Sequence, residues 1–344
     1  MATVVRAFDW AKTPLGPLEA WPQSLKSAAA ICLRSPFQMA IYWGAELNCI
    51  YNDAEREVLG LMHPGALGLP ARELLRDSWP IVGPQLRGVI EQGKGIFLED
   101  QPLSFDRRGR LEVSYFTYSY SPILDDDDEV AGVLLVTEDT TKRVLASRRS
   151  EAVREMTARS LDAPTPARAC LLSADALTSG QDVPFALIYL VDGVGRLARC
   201  VAAHARVGSI EATRSAVALD AASDEVASLF RALTAGTERG MLAPARLFVT
   251  AAQRWQAPER AFVARIAGGV ADPVDGYLIA GVRPDLAFDE DYENFLELAA
   301  VAIGRSVAAA RARETQRRRV SDIAAIDRAK TALFSNASHE LRTP

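Results

Sequence analysis

Cysteine and histidine are scarce in this chain of 344 residues, which holds four of the first and three of the second. Cys32, Cys49, Cys170 and Cys200 lie far apart and form no Cys-x-x-Cys pair. That excludes a disulfide framework and a zinc ribbon, and it suits reduced thiols in a cytoplasmic protein. Long apolar runs are missing too. The longest apolar region, 296–310, is interrupted by Arg305, and Asp9 and Lys12 follow closely on the start. No membrane span and no secretory leader are therefore expected. Positive charge is not in excess: the net charge of −5 argues against a general nucleic-acid binder. What remains has globular proportions, 49% apolar and 24% charged, at a length that suits two domains with connecting helices.

One of the three histidines lies in the closing run Phe334-Ser335-Asn336-Ala337-Ser338-His339-Glu340-Leu341-Arg342-Thr343-Pro344. On a helix, His339 and Thr343 share a face, and Glu340 and Thr343 are neighbours. An imidazole whose one nitrogen is held by Glu340 as general base is a better nucleophile at the other nitrogen. A threonine hydroxyl one turn away can position a water. Pro344 lacks an N–H and its ring clashes with the carbonyl of Glu340, so a bend is expected beside the histidine. This run resembles the H-box of HisKA-type sensor histidine kinases, over residues 330–344. The resemblance implies that His339 is autophosphorylated, that Glu340 is the base, and that Thr343 orients water for phosphatase activity. An amphipathic helix end with a satisfied histidine is the plain alternative.

Upstream, a turn-rich opening through Pro14, Gly16 and Pro17 leads to a helix after Pro22. Strands are expected at 38–43 and 47–52, then a helix over 54–59 capped by Asp53. Short helices are expected over 64–95, then strands at 96–105, 110–121 and 130–137, the first two joined by the hairpin Asp106-Arg107-Arg108-Gly109. This order, with Tyr51-Asn52-Asp53-Ala54, the run from Tyr115 to Pro122 and the ending Asp139-Thr140-Thr141, resembles a PAS domain over about residues 8–141. The resemblance implies a five-stranded antiparallel sheet with helices over one face and a pocket between them, and an Asp-x-Thr that ties the last strand to the outgoing helix.

A connector helix over 142–163 is broken by Pro164 and Pro166. Beyond it, helices are expected at 167–177 and 224–235, and strands at 185–191, 197–204, near Met241, at 247–250, 261–267 and 276–282. The run Phe185 to Asp192 and the close from Gly281 to Phe295 resemble a GAF domain. From Asp289 helical character continues to the end. Leu296, Ala299, Ile303, Ala310, Val320, Ala324 and Leu333 recur at roughly coiled-coil spacing, interrupted by Arg313 and Arg317.

Other residues carry alternatives. His63 is a haem-ligand candidate in the first pocket, or a hydrogen-bonded structural histidine before Pro64. His204, at a strand end, reads as structural. Asn48-Cys49 falls in a strand and lacks the longer run of flavin-binding LOV domains, so core packing of Cys49 is favoured. The run from Asp125 to Glu129 lacks the spacing of a calcium loop and reads as a solvated hairpin tip. Arg317, Arg318 and Arg319 read as a solvated helix face. Trp79, Phe97, Phe105, Tyr115, Phe116 and Tyr118 either line a ligand pocket or pack the core, and alternation puts Phe116 and Tyr118 opposite Tyr115 and Thr117.

The expected architecture is α+β: a PAS domain at 1–141, a connector at 142–163, a GAF domain at 164–294, a coiled-coil signalling helix at 295–329, and the start of a dimerisation and phosphoacceptor domain at 330–344. The resemblance implies the sensory part of a cytoplasmic two-component histidine kinase, acting as a parallel homodimer. ATP and Mg2+ would be used by a catalytic domain beyond Pro344, so this chain alone is expected not to autophosphorylate. A response regulator would be the phosphoryl partner, with a small molecule or a protein as signal. The other reading is a non-catalytic ligand-binding and dimerisation module whose H-box only docks, or accepts phosphate from another kinase.

Overall fold

The computed structural model describes residues 1–106, 111–206, 210–212, 215–221, 224–236, 240–243, 248–250, 258–267 and 273–340, with backbone alone at 106, 210–212, 248–250 and 332–340. The expected hairpin at 106–109 and the bend at Pro344 therefore lie outside the described residues. The chain divides into two compact units, Met1–Leu145 and Ala146–Pro344.

The first unit opens with α1 (Ala2–Ala7) and α2 (Gln23–Cys32), followed by β1 (Gln38–Trp43) and β2 (Asn48–Tyr51). Three helices come next: α3 (Glu55–Leu59), α4 (Ala71–Leu74) and α5 (Trp79–Gln92). The long strands β3 (Ile96–Asp106), β4 (Leu111–Leu124) and β5 (Val130–Asp139) complete one antiparallel sheet of order β2-β1-β5-β4-β3. Side chains that alternate along a strand meet opposite faces. On β1, Ala40 and Tyr42 face a cavity, while Met39, Ile41 and Trp43 are also buried, on the other side. The residues before β1 belong to the same core, through Trp10, Trp21, Leu25 and Cys32.

The cap of α3 differs from the sequence expectation. Asn52 Oδ1, not Asp53, accepts the Glu55 N–H at 2.9 Å. Asp53 instead points outward and takes the terminal ammonium of Met1 at 2.6 Å. Asn52 is fully buried, and its side-chain oxygen also accepts from Met39 N while its amide donates to the carbonyls of Ser35 and Phe37. The buried amide thus ties β1, the end of β2 and the start of α3 together.

α6 (Thr141–Ser160) starts in the last residues of the first unit, and the second unit continues with α7 (Pro166–Ser179), β6 (Phe185–Val191) and β7 (Leu197–Ala205). There follow β8 (Ile210–Ala212), β9 (Ala216–Ala218), α8 (Glu225–Thr234), β10 (Gly240–Leu242), β11 (Phe248–Thr250), β12 (Ala261–Ile266) and β13 (Gly276–Gly281). Six strands pair antiparallel in the order β10-β12-β13-β6-β7-β9, and β8 pairs with β11 alone. Both sheets are antiparallel with helices packed on them, so the α+β class holds.

The last element is α9 (Glu290–Glu340), an unbroken helix of 51 residues. Its first half is not a free coiled-coil seam, as the spacing of Leu296, Ala299, Ile303 and Ala310 suggested. These residues are buried against α7, β12 and β13 of their own unit. Leu298 is the large apolar residue of this half that is open to solvent; further on, Val320, Ile323 and Ile326 are exposed.

Candidate functional site

The first unit encloses a cavity between its sheet and α3, α4 and α5. Alternation along β4 turns Phe116, Tyr118 and Tyr120 inward, Phe105 and Leu103 join from β3, and Leu135 and Thr137 from β5. Val58, Leu59, Leu74, Leu75 and Val82 close it from the helices. Open space for water-sized molecules is about 40 Å³. That is room for a few waters or a ligand of a few heavy atoms.

One carboxyl lies in this apolar wall. Glu55 is 5% exposed and its Oε2 has no hydrogen-bond partner among the described residues. Burial disfavours its charged form and pushes its pKa up to about 8. Burial, and secondarily the Glu55 charge, push the Cys32 thiol up to about 12. Cys49 is displaced well upward for the same two reasons. Burial raises Tyr42, with smaller contributions from Cys49, Tyr120 and Glu55, and it raises Tyr120, with smaller ones from Tyr118 and Glu55. Tyr118 donates its hydroxyl proton to Gln85 Oε1 at 2.8 Å.

Of the aromatic candidates, Phe105, Phe116 and Tyr118 line the cavity. Trp79 packs against the core around it, whereas Phe97 is 64% exposed. Cys49 is buried in the core as expected and also borders the cavity. His63 stands elsewhere: its Nδ1 is 2.8 Å from the Tyr51 hydroxyl, and its ring meets that of Tyr51 edge-on. It does not line the cavity, and the space is far below that of pockets that take drug-sized ligands. The residues present do not fit haem.

Beside the sheet, Asp100 sits at a bulge in β3 with φ +49°. Its Oδ1 accepts from the Thr140 hydroxyl at 2.8 Å and from Arg143 at 2.6 Å. Asp139 accepts the Thr141 N–H at 2.9 Å, and Thr141 Oγ1 accepts the Tyr115 N–H at 2.8 Å. The Asp-x-Thr ending therefore does fasten β5 and β4, the strand that lines the cavity, to the first turn of α6.

A second polar node lies within the second unit. Asp182, buried, pairs with both Arg148 and Arg149 of α6. The Arg149 guanidinium lies 4.3 Å from the ring centroid of Tyr292, whose hydroxyl donates to the Asp182 carbonyl. Tyr292 is in the first turn of α9, so the node joins the middle of α6 to the root of α9. Further along, Ser160 and Ser306 share a buried hydrogen bond of 2.8 Å. His204 is held structurally, between the Thr178 hydroxyl at 2.6 Å and Asp175 at 3.2 Å.

His339 and Glu340, the expected phosphoacceptor and base, lie on the backbone of α9 with side chains outside the described residues, and Thr343 lies outside them altogether. Asp125 caps its own hairpin by accepting the N–H groups of Asp127 and Glu129, each at 3.0 Å. Among the described residues there is no cluster of metal-ligating side chains, and no helix is long and apolar enough to cross a membrane. Sequence reasoning missed Glu55, Asn52, Asp100 and Asp182 as organising residues. The Asn52–Glu55 spacing is a capping signal; the other two offered none.

Residues 35–145 match the family model of the PAS fold, a domain typical of signalling proteins. Among solved structures the chain is similar to the GAF domain of an Acinetobacter phosphoenolpyruvate-protein phosphotransferase, at 13% identity over 47% of this chain and 94% of that one, with a TM-score of 0.35. It is similar to the PAS domain of a protein from Colwellia psychrerythraea, at 16% identity over 35% and 98%, with a TM-score of 0.28. It is also similar to a sensory box sensor histidine kinase from Vibrio cholerae, at 17% identity over 33% and 87%, with a TM-score of 0.24. No curated protein matches the chain.

Proposed function

We propose that the chain is the sensory and phosphoacceptor portion of a cytoplasmic two-component sensor histidine kinase. The observation that carries this reading is the run from Phe334 to Pro344, reached by an unbroken helix that starts beside the Asp182 node. The PAS domain at 35–145 supports it from the input side.

In the parent protein a nitrogen of the His339 imidazole attacks the γ-phosphorus of ATP. An N–P bond forms, the bond to the bridging oxygen breaks, and ADP leaves. Glu340 accepts the proton from the imidazole. Mg2+ would offset the phosphate charge during this transfer. The phosphoryl group then passes to an aspartate of a response regulator. In the opposite state Thr343 orients the water that hydrolyses the regulator's acyl phosphate. Two copies pair in parallel through the solvent-exposed part of α9, and the input units bias that pair between the kinase and phosphatase states.

The test uses the intact parent protein with labelled ATP. The wild type should take up acid-labile, base-stable label, and His339→Gln should take up none. Label that persists in His339→Gln overturns the reading. An intact protein that is labelled only when another kinase is supplied would instead be a docking or acceptor module.

A further inference from the structure

Five aromatic side chains line the cavity of the first unit, Tyr42, Phe105, Phe116, Tyr118 and Tyr120, and its one ionisable carboxyl is Glu55; no basic side chain lines it. Glu55 is 5% exposed, and Oε2 is left without a hydrogen bond among the described residues. A buried polar atom without a partner is costly and uncommon, and it points to a partner that binds. The lining decides which partner. An anion would meet a carboxyl and no cation. A purely apolar molecule would leave Oε2 as it is. A cation satisfies both features, because a carboxylate offsets its charge and aromatic faces attract it through their quadrupoles.

We propose that this cavity takes a small alkylammonium ion, in the size range of methylammonium to tetramethylammonium, paired with Glu55 and enclosed by the rings of Tyr42, Phe116 and Tyr120. This rests on reading the first unit as a sensory domain. A cavity of about 40 Å³ suits an ion of this size. Binding requires Glu55 to give up its proton to solvent. The titratable groups that face it are Cys32 from α2, Tyr42 from β1, Cys49 from β2 and Tyr120 from β4, and all are displaced upward. Glu55 is then the group that changes charge as pH rises toward 9, and with its proton held to about pH 8 the affinity for the cation should rise about tenfold between about pH 7 and about pH 9.

The experiment is a calorimetric titration of the full chain with methylammonium chloride and tetramethylammonium chloride at both pH values. Sodium chloride at equal ionic strength and tert-butanol, a neutral molecule of similar shape, are the controls. The ammonium salts should bind, about tenfold more tightly at the higher pH, and the controls should not. Glu55→Gln should weaken binding at least about tenfold at the higher pH and remove the pH dependence. Phe116→Leu, which keeps the carboxyl, should weaken binding several-fold. The proposal is overturned if neither salt saturates at either pH, if tert-butanol binds as well as tetramethylammonium, or if the wild-type affinity does not rise with pH. Unchanged binding by a folded Glu55→Gln variant overturns it as well. The wild-type pH series and Phe116→Leu decide the matter even if Glu55→Gln does not fold. Labelling of His339 reads phosphotransfer and this titration reads the cavity, so each reading can fail without the other.

Discussion

Glu55 sets the pH behaviour of the first unit. In the unfolded chain it ionises near its ordinary value of 4.5, whereas burial holds its proton in the fold to about pH 8. The folded state therefore keeps a proton that the unfolded state releases. The stabilising contribution of Glu55 is full below about pH 4.5 and is lost as pH rises toward about pH 8, by on the order of 3 kcal/mol at neutral pH. Glu55→Gln is neutral in both states. Its urea-unfolding free energy should match the wild type near the acid end and exceed it by about that amount at neutral pH. Parallel pH profiles for the two proteins would contradict this account. The spacing from Asn52 marks Glu55 as part of a helix start, but nothing in the sequence marked it as a buried carboxyl. It reads as one acidic residue in the first turn of a short helix, followed by Arg56 and Glu57 that are exposed. Only the packing of α3 over the sheet turns it into the carboxyl of an apolar cavity. Asn52 was more legible, since an asparagine three residues before a helix amide is a local signal. Its two contacts to the segment before β1 were not, because they join residues distant in sequence.

At the scale of elements, local pattern carried far. Apart from the short β8 and β9, which were not expected, the strands were placed within a few residues, because half-buried strands alternate and Gly and Pro punctuate them. α9 shows where pattern stops. Apolar residues at spacings of three and four mark a buried face of a helix, but the same spacing serves a coiled-coil partner and a sheet of the same unit. Gly304 shows which occupant is present. A Cβ there would lie 2.3 Å from the Ala267 carbonyl oxygen and 2.5 Å from its carbon. The helix thus packs directly on the backbone at the end of β12. Glycine inside a helix is ordinarily worse than alanine by about 0.5–1 kcal/mol. Here the sign reverses. Gly304→Ala should destabilise the second unit by about 1–3 kcal/mol, the usual range for overpacking, as measured by chemical denaturation. A gain in stability would mean that α9 does not seat on β12 this closely.

At the scale of the whole molecule, the fate of α9 beyond its own unit decides how two copies meet. The helix runs about 75 Å at 1.5 Å per residue. Its buried face ends at Ala310; beyond it Arg311 pairs with Asp275, and Arg313 with Asp162 and the Leu161 carbonyl. From Thr315 to Thr331 its residues are exposed. Arg317, Arg318 and Arg319 face solvent, as expected, and Arg318 pairs with Glu314 at 2.7 Å. In proteins most of the stability of a helix comes from packing an apolar face rather than from propensity. Val320, Ile323 and Ile326, 56%, 66% and 67% exposed, are the apolar stripe available for packing in this stretch. In the proposed parallel dimer each isoleucine at 323 is buried against the partner copy. Replacing it with glutamate removes two such side chains per dimer, at about 2 kcal/mol each, and sets two carboxylates side by side. Ile323→Glu should raise the dimer Kd about a thousandfold, read by analytical ultracentrifugation of the full chain. The far-ultraviolet circular dichroism of the two compact units should be nearly unchanged, since Ile323 belongs to neither core. A variant that sediments as the wild-type dimer would place the dimer contact elsewhere. A wild type that is monomeric at high concentration would remove α9 as the pairing element of this chain.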